Sequence, residues 1–426
     1  MEKYSFPRVG EEMYHEVLEN GLSVFVSPKP GFQKGYAFFA TNYGGMDMCF
    51  CLDGEWHDTP AGVAHYLEHK MFDTQEGNAL QDLAANGASP NAFTSSEITG
   101  YFFDCTEKFE DNLRILLSFV SVPWFTKESV DKEQGIIGQE IGMIEDDPDW
   151  KVFMNLLSAL YQTHPIRVSV AGSVESISHI TAETLYACHK AFYDPANMVL
   201  CVAGDVDPEQ VCQLAREVLP KQAGPIAQKD YGPQELPQVA QAVIEERMEV
   251  SNPIFQLGFK GDAPEKGQAG LRQQLVGELA CECLLGTSSP LYASLYREGL
   301  INQGFAYGYE AYPGCAFLMA GGESKDPLAV REAIWKEAAR ISREGLDAAL
   351  WERVKKGVYG GKVRSLNSFE NLCVGQAQAF FAGFDFLQFA ELFDGLEKQD
   401  AEALIRDWTA QERTALSVVR AREDKQ

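Results

Sequence analysis

No run of about 18 apolar residues occurs in the 426-residue chain, which argues against a membrane-spanning helix. Positive charge is scarce: 36 Lys and Arg stand against 62 Asp and Glu, a formal net charge of −26. So negative a surface repels phosphate backbones and anionic lipid, which excludes nucleic acid and membrane as expected partners and favours a neutral or cationic substrate. The opening stretch, MEKYSFPRVGEEMYHEV, lacks the charged-then-apolar pattern of a secretory signal, so a cytoplasmic location is expected. The cysteines are scattered singly, mostly inside apolar runs (Cys105, Cys188, Cys201, Cys315), as reduced, buried thiols are. Cys281 and Cys283 are too close for a zinc knuckle and no second pair follows, so core packing is expected of them.

The length suits two domains of roughly 200 residues each. Residues 13–50 alternate apolar and polar, with Asn20-Gly21 as a hairpin turn. Residues 60–87 read as helix, ending at Asn86-Gly87; residues 91–105 read as strand. Helices are expected over 107–122, over 126–147 with Thr126 as N-cap, and over 176–193 and 208–219. Four prolines and little periodicity mark residues 220–240 as a linker. A second unit then repeats the order: strands, a helix over 267–285, strands over 303–322, helices over 327–344 and 347–355, and a closing strand ALSVVRAR that echoes MVLCVAGD near the end of the first unit. The expectation is an α+β fold of two tandem homologous domains, 1–219 and 241–426, each a mostly antiparallel sheet with helices packed on one face.

Among only seven histidines, two fall in the run His65-Tyr66-Leu67-Glu68-His69. On a helix, His65 and His69 sit about 40° apart, with Glu68 about 60° to the other side of His65. Two imidazoles one turn apart can grip a zinc ion, and a carboxylate on the same arc can reach a metal-bound water and take its proton. A catalytic zinc needs a third protein ligand and an open position. Helix 126–147 carries Glu133 and Glu140 two turns apart on one face. Glu140 is the better third ligand, and Glu133 could orient a ligand or polarise water. The bland alternative is a satisfied core histidine pair beside a solvated helix acid.

The order His-x-x-Glu-His resembles the inverted zinc peptidases of the insulinase–pitrilysin family, which includes mitochondrial processing peptidase. The resemblance extends through GVAHYLEHKMF, NGASPNAFTSSEITGYFF, DKEQGIIGQEIGMIEDDPDW and GSVESISHITAETLYACHKAFYDPANMVLCVAGDVD, in the family's order, over most of residues 60–207. It implies zinc held by His65, His69 and Glu140, Glu68 as general base, and Glu133 as helper acid. It also implies a substrate strand at Asn91, Ala92 and Thr94, where a peptide adds to an exposed sheet edge. The wording is most similar to the zinc-bearing subunits of the bacterial processing-peptidase branch.

One stretch departs from that pattern. In SLYREGLINQGFAYGYE, Gly299 and Leu300 match the family, but Leu295 stands where an arginine is expected and Asn302 where a tyrosine is expected. Arg297, Tyr307 and Tyr309 lie nearby but off register, and ordinary strand and turn roles are favoured for them. The resemblance therefore implies a homodimer, or a heterodimer with a zinc-lacking sister subunit that supplies the missing pair. The expected activity is endopeptidase hydrolysis of peptides or small unfolded polypeptides in a closed chamber. A scaffold subunit, or a metal- or nucleic-acid-binding module outside this family, is the competing expectation.

Overall fold

The computed structural model describes residues 1–422. The first half contributes strands β1 (Glu2–Phe6), β2 (Glu11–Val17), β3 (Ser23–Pro28), β4 (Gly35–Thr41), β5 (Cys49–Leu52) and β6 (Glu55–Asp58), then helix α1 (Val63–Met71). A short hairpin of β7 (Asp73–Thr74) and β8 (Gly77–Asn78) leads into α2 (Ala79–Ala85), β9 (Ser89–Thr94) and β10 (Thr99–Cys105). Helices α3 (Phe109–Ser121), α4 (Lys127–Glu145) and α5 (Pro148–Leu160) follow, and β11 (Met198–Gly204) closes the half. Beyond the short strand β12 (Gln228–Asp230) come β13 (Val243–Met248), β14 (Ile254–Lys260), β15 (Ala306–Tyr312), β16 (Cys315–Glu323) and β17 (Thr414–Ala421).

The duplication expected from the sequence is written into the strand order. One sheet runs β1-β2-β3-β11-β4-β10-β9, the other β13-β17-β14-β16-β15. Dropping β1 and β2 from the first leaves the order of the second. In each, the closing strand (β11 or β17) inserts parallel to one neighbour and antiparallel to the other. All other pairings are antiparallel. The fold is therefore α+β and duplicated.

Packing groups the chain into two compact units that borrow from each other's halves. The first takes Met1–Ile141, Val168–Tyr231 and Val363–Gln388; the second takes Gly142–Arg167, Gly232–Lys362 and the chain from Phe389. The boundaries expected at 219 and 241 follow chain order, whereas apolar burial exchanges two helices. In the first unit, helix Phe369–Ala382 packs on β4 and β11, with Phe380 edge-on to Phe25 at 5.6 Å. In the second, α5 packs on β14 and β17. There Gly258 leaves room for α5: a Cβ on it would lie 2.8 Å from Leu160 Cδ1. Neither exchanged helix is expected from the sequence, because each takes its partner strands from the distant half.

The expected hairpin forms at Gly21, whose φ of 87° suits glycine. The helix expected over 60–87 instead breaks in two around the β7–β8 hairpin. Residues 220–240, the expected linker, are anchored to the first unit at their strand. Strand β12 pairs with β5, and the Lys229 Nζ and Tyr231 hydroxyl both donate to buried Asp47, at 2.9 Å each.

Candidate metal centre

The centre lies within the first unit, on α1 and α4. Helix α1 starts at Gly62, whose φ of 97° lies in the left-handed region and whose missing Cβ makes room for the Ala171 carbonyl. Helix α4 starts as expected at Thr126: its hydroxyl accepts from Ser129 N at 3.1 Å, and the Ser129 hydroxyl accepts from Thr126 N at 3.3 Å. Val130, Ile137 and Ile141 are the buried stripe of α4, which turns the Glu133 and Glu140 side chains toward α1. The Tyr66 hydroxyl donates to the Val130 carbonyl and ties the two helices together.

His65, His69 and Glu140 each offer one donor atom, and these atoms lie within 4.8 Å of one another. His65 Nε2 is 3.5 Å from one Glu140 oxygen, and His69 Nε2 is 3.6 Å from the other. The two rings are 4.6 Å apart, centroid to centroid. On its far side, His69 Nδ1 lies 3.1 Å from Glu133 Oε1. A carboxylate can only accept, so Nδ1 carries the proton and Nε2 keeps its lone pair for the shared point. Among the described residues, His65 Nδ1 is buried with no hydrogen-bond partner, and His69 alone has an acid on its Nδ1.

Electrostatics separate the roles. Burial, then the neighbouring His69, pushes the His65 imidazole down to about 4, so it is neutral at pH 7, the state that ligates metal. Burial would lower His69 too, but the hydrogen bond to Glu133 and the charges of Glu68 and Glu140 outweigh it and hold it up. Glu68 is only 9% exposed, and burial raises its carboxyl. It accepts a hydrogen bond from the Thr94 hydroxyl at 3.1 Å.

Two nitrogens and one oxygen, converging from helices with a neutral imidazole among them, make the donor set that suits zinc. The fit rests on those atoms.

Strand β9, which carries Asn91, Ala92 and Thr94, is an edge: among the described residues it pairs only with β10. The Asn91 side chain accepts from Ala92 N at 2.9 Å. In the second unit, Arg297 is exposed at the end of helix Pro290–Arg297, and the Tyr307 hydroxyl donates to Glu282 at 2.8 Å. Leu295 is a core residue, 2% exposed, and Asn302 donates to Glu323 at 3.2 Å.

Sequence reasoning misses two members of this cluster, Lys70 and Asp73. Lys70 is 1% exposed, ion-pairs with Asp73, and has Glu133 Oε2 at 3.9 Å. The available signal is a lysine inside the otherwise apolar run that follows His69.

The helix-borne inverted motif, its remote helix acid and the duplicated α+β sheets define a class, the inverted-motif metallopeptidases. The chain belongs to peptidase family M16, the insulinase family. A family model described as Insulinase (Peptidase family M16) matches residues 53–173, and one described as Peptidase M16 inactive domain matches residues 179–358. The uncharacterized zinc protease YmfH of Bacillus subtilis is 37% identical over 421 residues, covering 97% of this chain and 98% of that protein. The putatively assigned zinc protease AlbF of the same organism is 27% identical over 305 residues, about 70% of each chain. The crystal structure of an M16-like peptidase from Alicyclobacillus acidocaldarius superposes with a TM-score of 0.93 at 33% identity, covering 97% of this chain and 99% of that one. A protease from Helicobacter pylori shares the fold, with a TM-score of 0.80 at 17% identity.

Proposed function

We propose that this chain is a zinc endopeptidase that hydrolyses peptides or small unfolded polypeptides inside a closed chamber, with Glu68 as its base. The observation that carries the reading is the convergence of His65, His69 and Glu140 donors within 4.8 Å, beside a buried carboxylate tethered to an edge strand. The zinc protease names of its relatives support it.

Held by those three side chains, zinc would supply Lewis acidity that polarises a carbonyl and acidifies water. Glu68 takes a proton from water as the oxygen attacks the scissile carbonyl carbon. It then delivers that proton to the amine as the C–N bond breaks. Burial of Glu68 makes it a better proton acceptor than an exposed glutamate, and Thr94 fixes which oxygen is free. Glu133 holds His69 in the tautomer that presents Nε2. The edge of β9 offers main-chain groups to an extended peptide, which binds with little demand on side-chain identity. The peptide must displace the Asn91 side chain from Ala92 N.

A second reading is favoured by one observation. Leu295 is buried and Asn302 is held by Glu323 at the two positions where self-sufficient relatives are expected to carry arginine and tyrosine. Under it, full activity needs a second subunit, either a copy of this chain or a zinc-lacking sister; Tyr307 is already bound to Glu282.

The test is Glu68→Gln. Zinc content should stay at the wild-type level while hydrolysis of an unfolded peptide falls about 10²–10⁴-fold. A variant that cleaves at the wild-type rate removes Glu68 from the chemistry. Running both proteins with and without a sister subunit separates the two readings.

A further inference from the structure

A fully buried ammonium sits behind the acid that orients His69. Lys70 is 1% exposed on α1 and faces two carboxylates. One is Asp73 in the β7–β8 hairpin, itself 39% exposed and within 3.5 Å of the Asn78 amide. The other is Glu133, whose Oε2 lies 3.9 Å from Lys70 Nζ while its Oε1 takes the His69 Nδ1 proton. The Glu133 carboxylate is thus stretched between two cationic or donor groups that are neighbours in the chain.

Burying a lysine is costly unless it is paired, and a buried pair rarely adds net stability over an apolar side chain of the same size. A methionine would fill this position in the run His69-Lys70-Met71-Phe72 more cheaply. What the charge does supply is an anchor for Glu133. A glutamate has three side-chain torsions, and one hydrogen bond to His69 leaves its carboxylate free to rotate. A cation on the second oxygen removes that freedom and holds the first oxygen on the Nδ1–H of His69. The centre needs this more than most, because among the described residues His65 Nδ1 has no partner and Glu133 alone bonds the far nitrogen of either imidazole.

We infer that Lys70, held by Asp73, is a positioning residue: it pins the Glu133 carboxylate so that His69 presents Nε2 to the metal. The inference rests on the zinc reading above.

The test replaces Lys70 by Met in the full chain and measures zinc affinity by competition with a chromophoric chelator, alongside thermal unfolding of the zinc-free protein. Outer partners of a metal ligand are worth about 10–100-fold in affinity, and Lys70 acts one step further out, so a loss of about tenfold is expected with zinc-free unfolding little changed. The decisive readout is the double variant. In a Glu133→Gln background the Lys70→Met substitution should cost no further affinity, because the group it positions is gone. A merely structural lysine would cost the same in both backgrounds, and that result overturns the inference, as does wild-type affinity in Lys70→Met. Lys70→Gln, which keeps a donor without the charge, is carried in parallel. Failure of both variants to fold would make Lys70 a residue of the fold and overturn the role. Wild-type protein that binds no zinc refutes the centre itself, a failure distinct from a wild type that binds and a Lys70 variant that binds equally well.

Discussion

The centre separates two kinds of acid. Glu140 stands between the two Nε2 atoms, whereas Glu133 takes the opposite nitrogen of His69. Residues seven apart share one face, so both acids turn toward α1, and the placement of α4 against α1 brings Glu140 to the Nε2 atoms and Glu133 to Nδ1 of His69. The His65, Glu68 and His69 trio was legible because three chemically loaded side chains fall within one turn. Glu133 and Glu140 became legible through the family blocks. Lys70 was not, because a lone lysine beside a motif reads as surface, and its burial depends on Asp73 and Glu133 closing over it. Arg297 and Tyr307 show the converse: residue type suggested a role, while their surroundings supply an exposed helix end and a partner in Glu282.

At the scale of elements, the site depends on where α1 begins. Gly62 holds a left-handed turn against the Ala171 carbonyl, and an added Cβ would lie 2.7 Å from that oxygen. Gly62→Ala therefore carries both a backbone cost and a clash with backbone that cannot step aside. A loss of about 2–4 kcal/mol is expected. It should show as a lower urea midpoint together with weaker zinc binding, because α1 carries both histidines. A variant within about 0.5 kcal/mol of wild type would mean that the α1 start adapts freely. Strands within residues 13–50 were readable from alternation and the hairpin at Asn20-Gly21 from its turn residues, whereas β1, β6 and β12 were not expected. The break between α1 and α2 was not, since the two short strands that split them are only two residues each. Helices α5 and Phe369–Ala382 were missed because their buried faces answer to strands far away in the chain.

Across the whole molecule, the strand order repeats between the two main sheets, and the His65, His69 and Glu140 group lies with the first of them. The segment joining them is anchored by charge. In the second unit, Glu235 accepts from the backbone N–H groups of Gln162, Thr163 and His164 and from Lys260 Nζ at 2.9 Å. Burial pushes its carboxyl up, but Lys260 and the three N–H groups win and hold it at about 2, against an ordinary 4.5. Folding therefore favours the ionised form. The stabilisation is complete above pH 4.5 and is lost as pH falls from there toward 2. Glu235→Gln should lower stability at pH 7 by about 3–5 kcal/mol, because it leaves the buried Lys260 ammonium, 2% exposed, without its counterion. It should also flatten the fall in stability between pH 4.5 and 2. Urea midpoints measured across that range check both, and an acid limb as steep as the wild type's would assign the sensitivity to other groups. The proline-rich composition of this segment suggested a linker; the contacts that anchor it are nonlocal and leave no periodic trace.

The central claim is that His65, His69 and Glu140 hold one divalent ion. Bound zinc per chain, measured after exhaustive dialysis of the wild type and of Glu140→Gln, tests it most directly. One equivalent in the wild type and a clear deficit in the variant is the predicted result, since a neutral amide is a poor third ligand. Equal zinc in both proteins, or none in either, would contradict it.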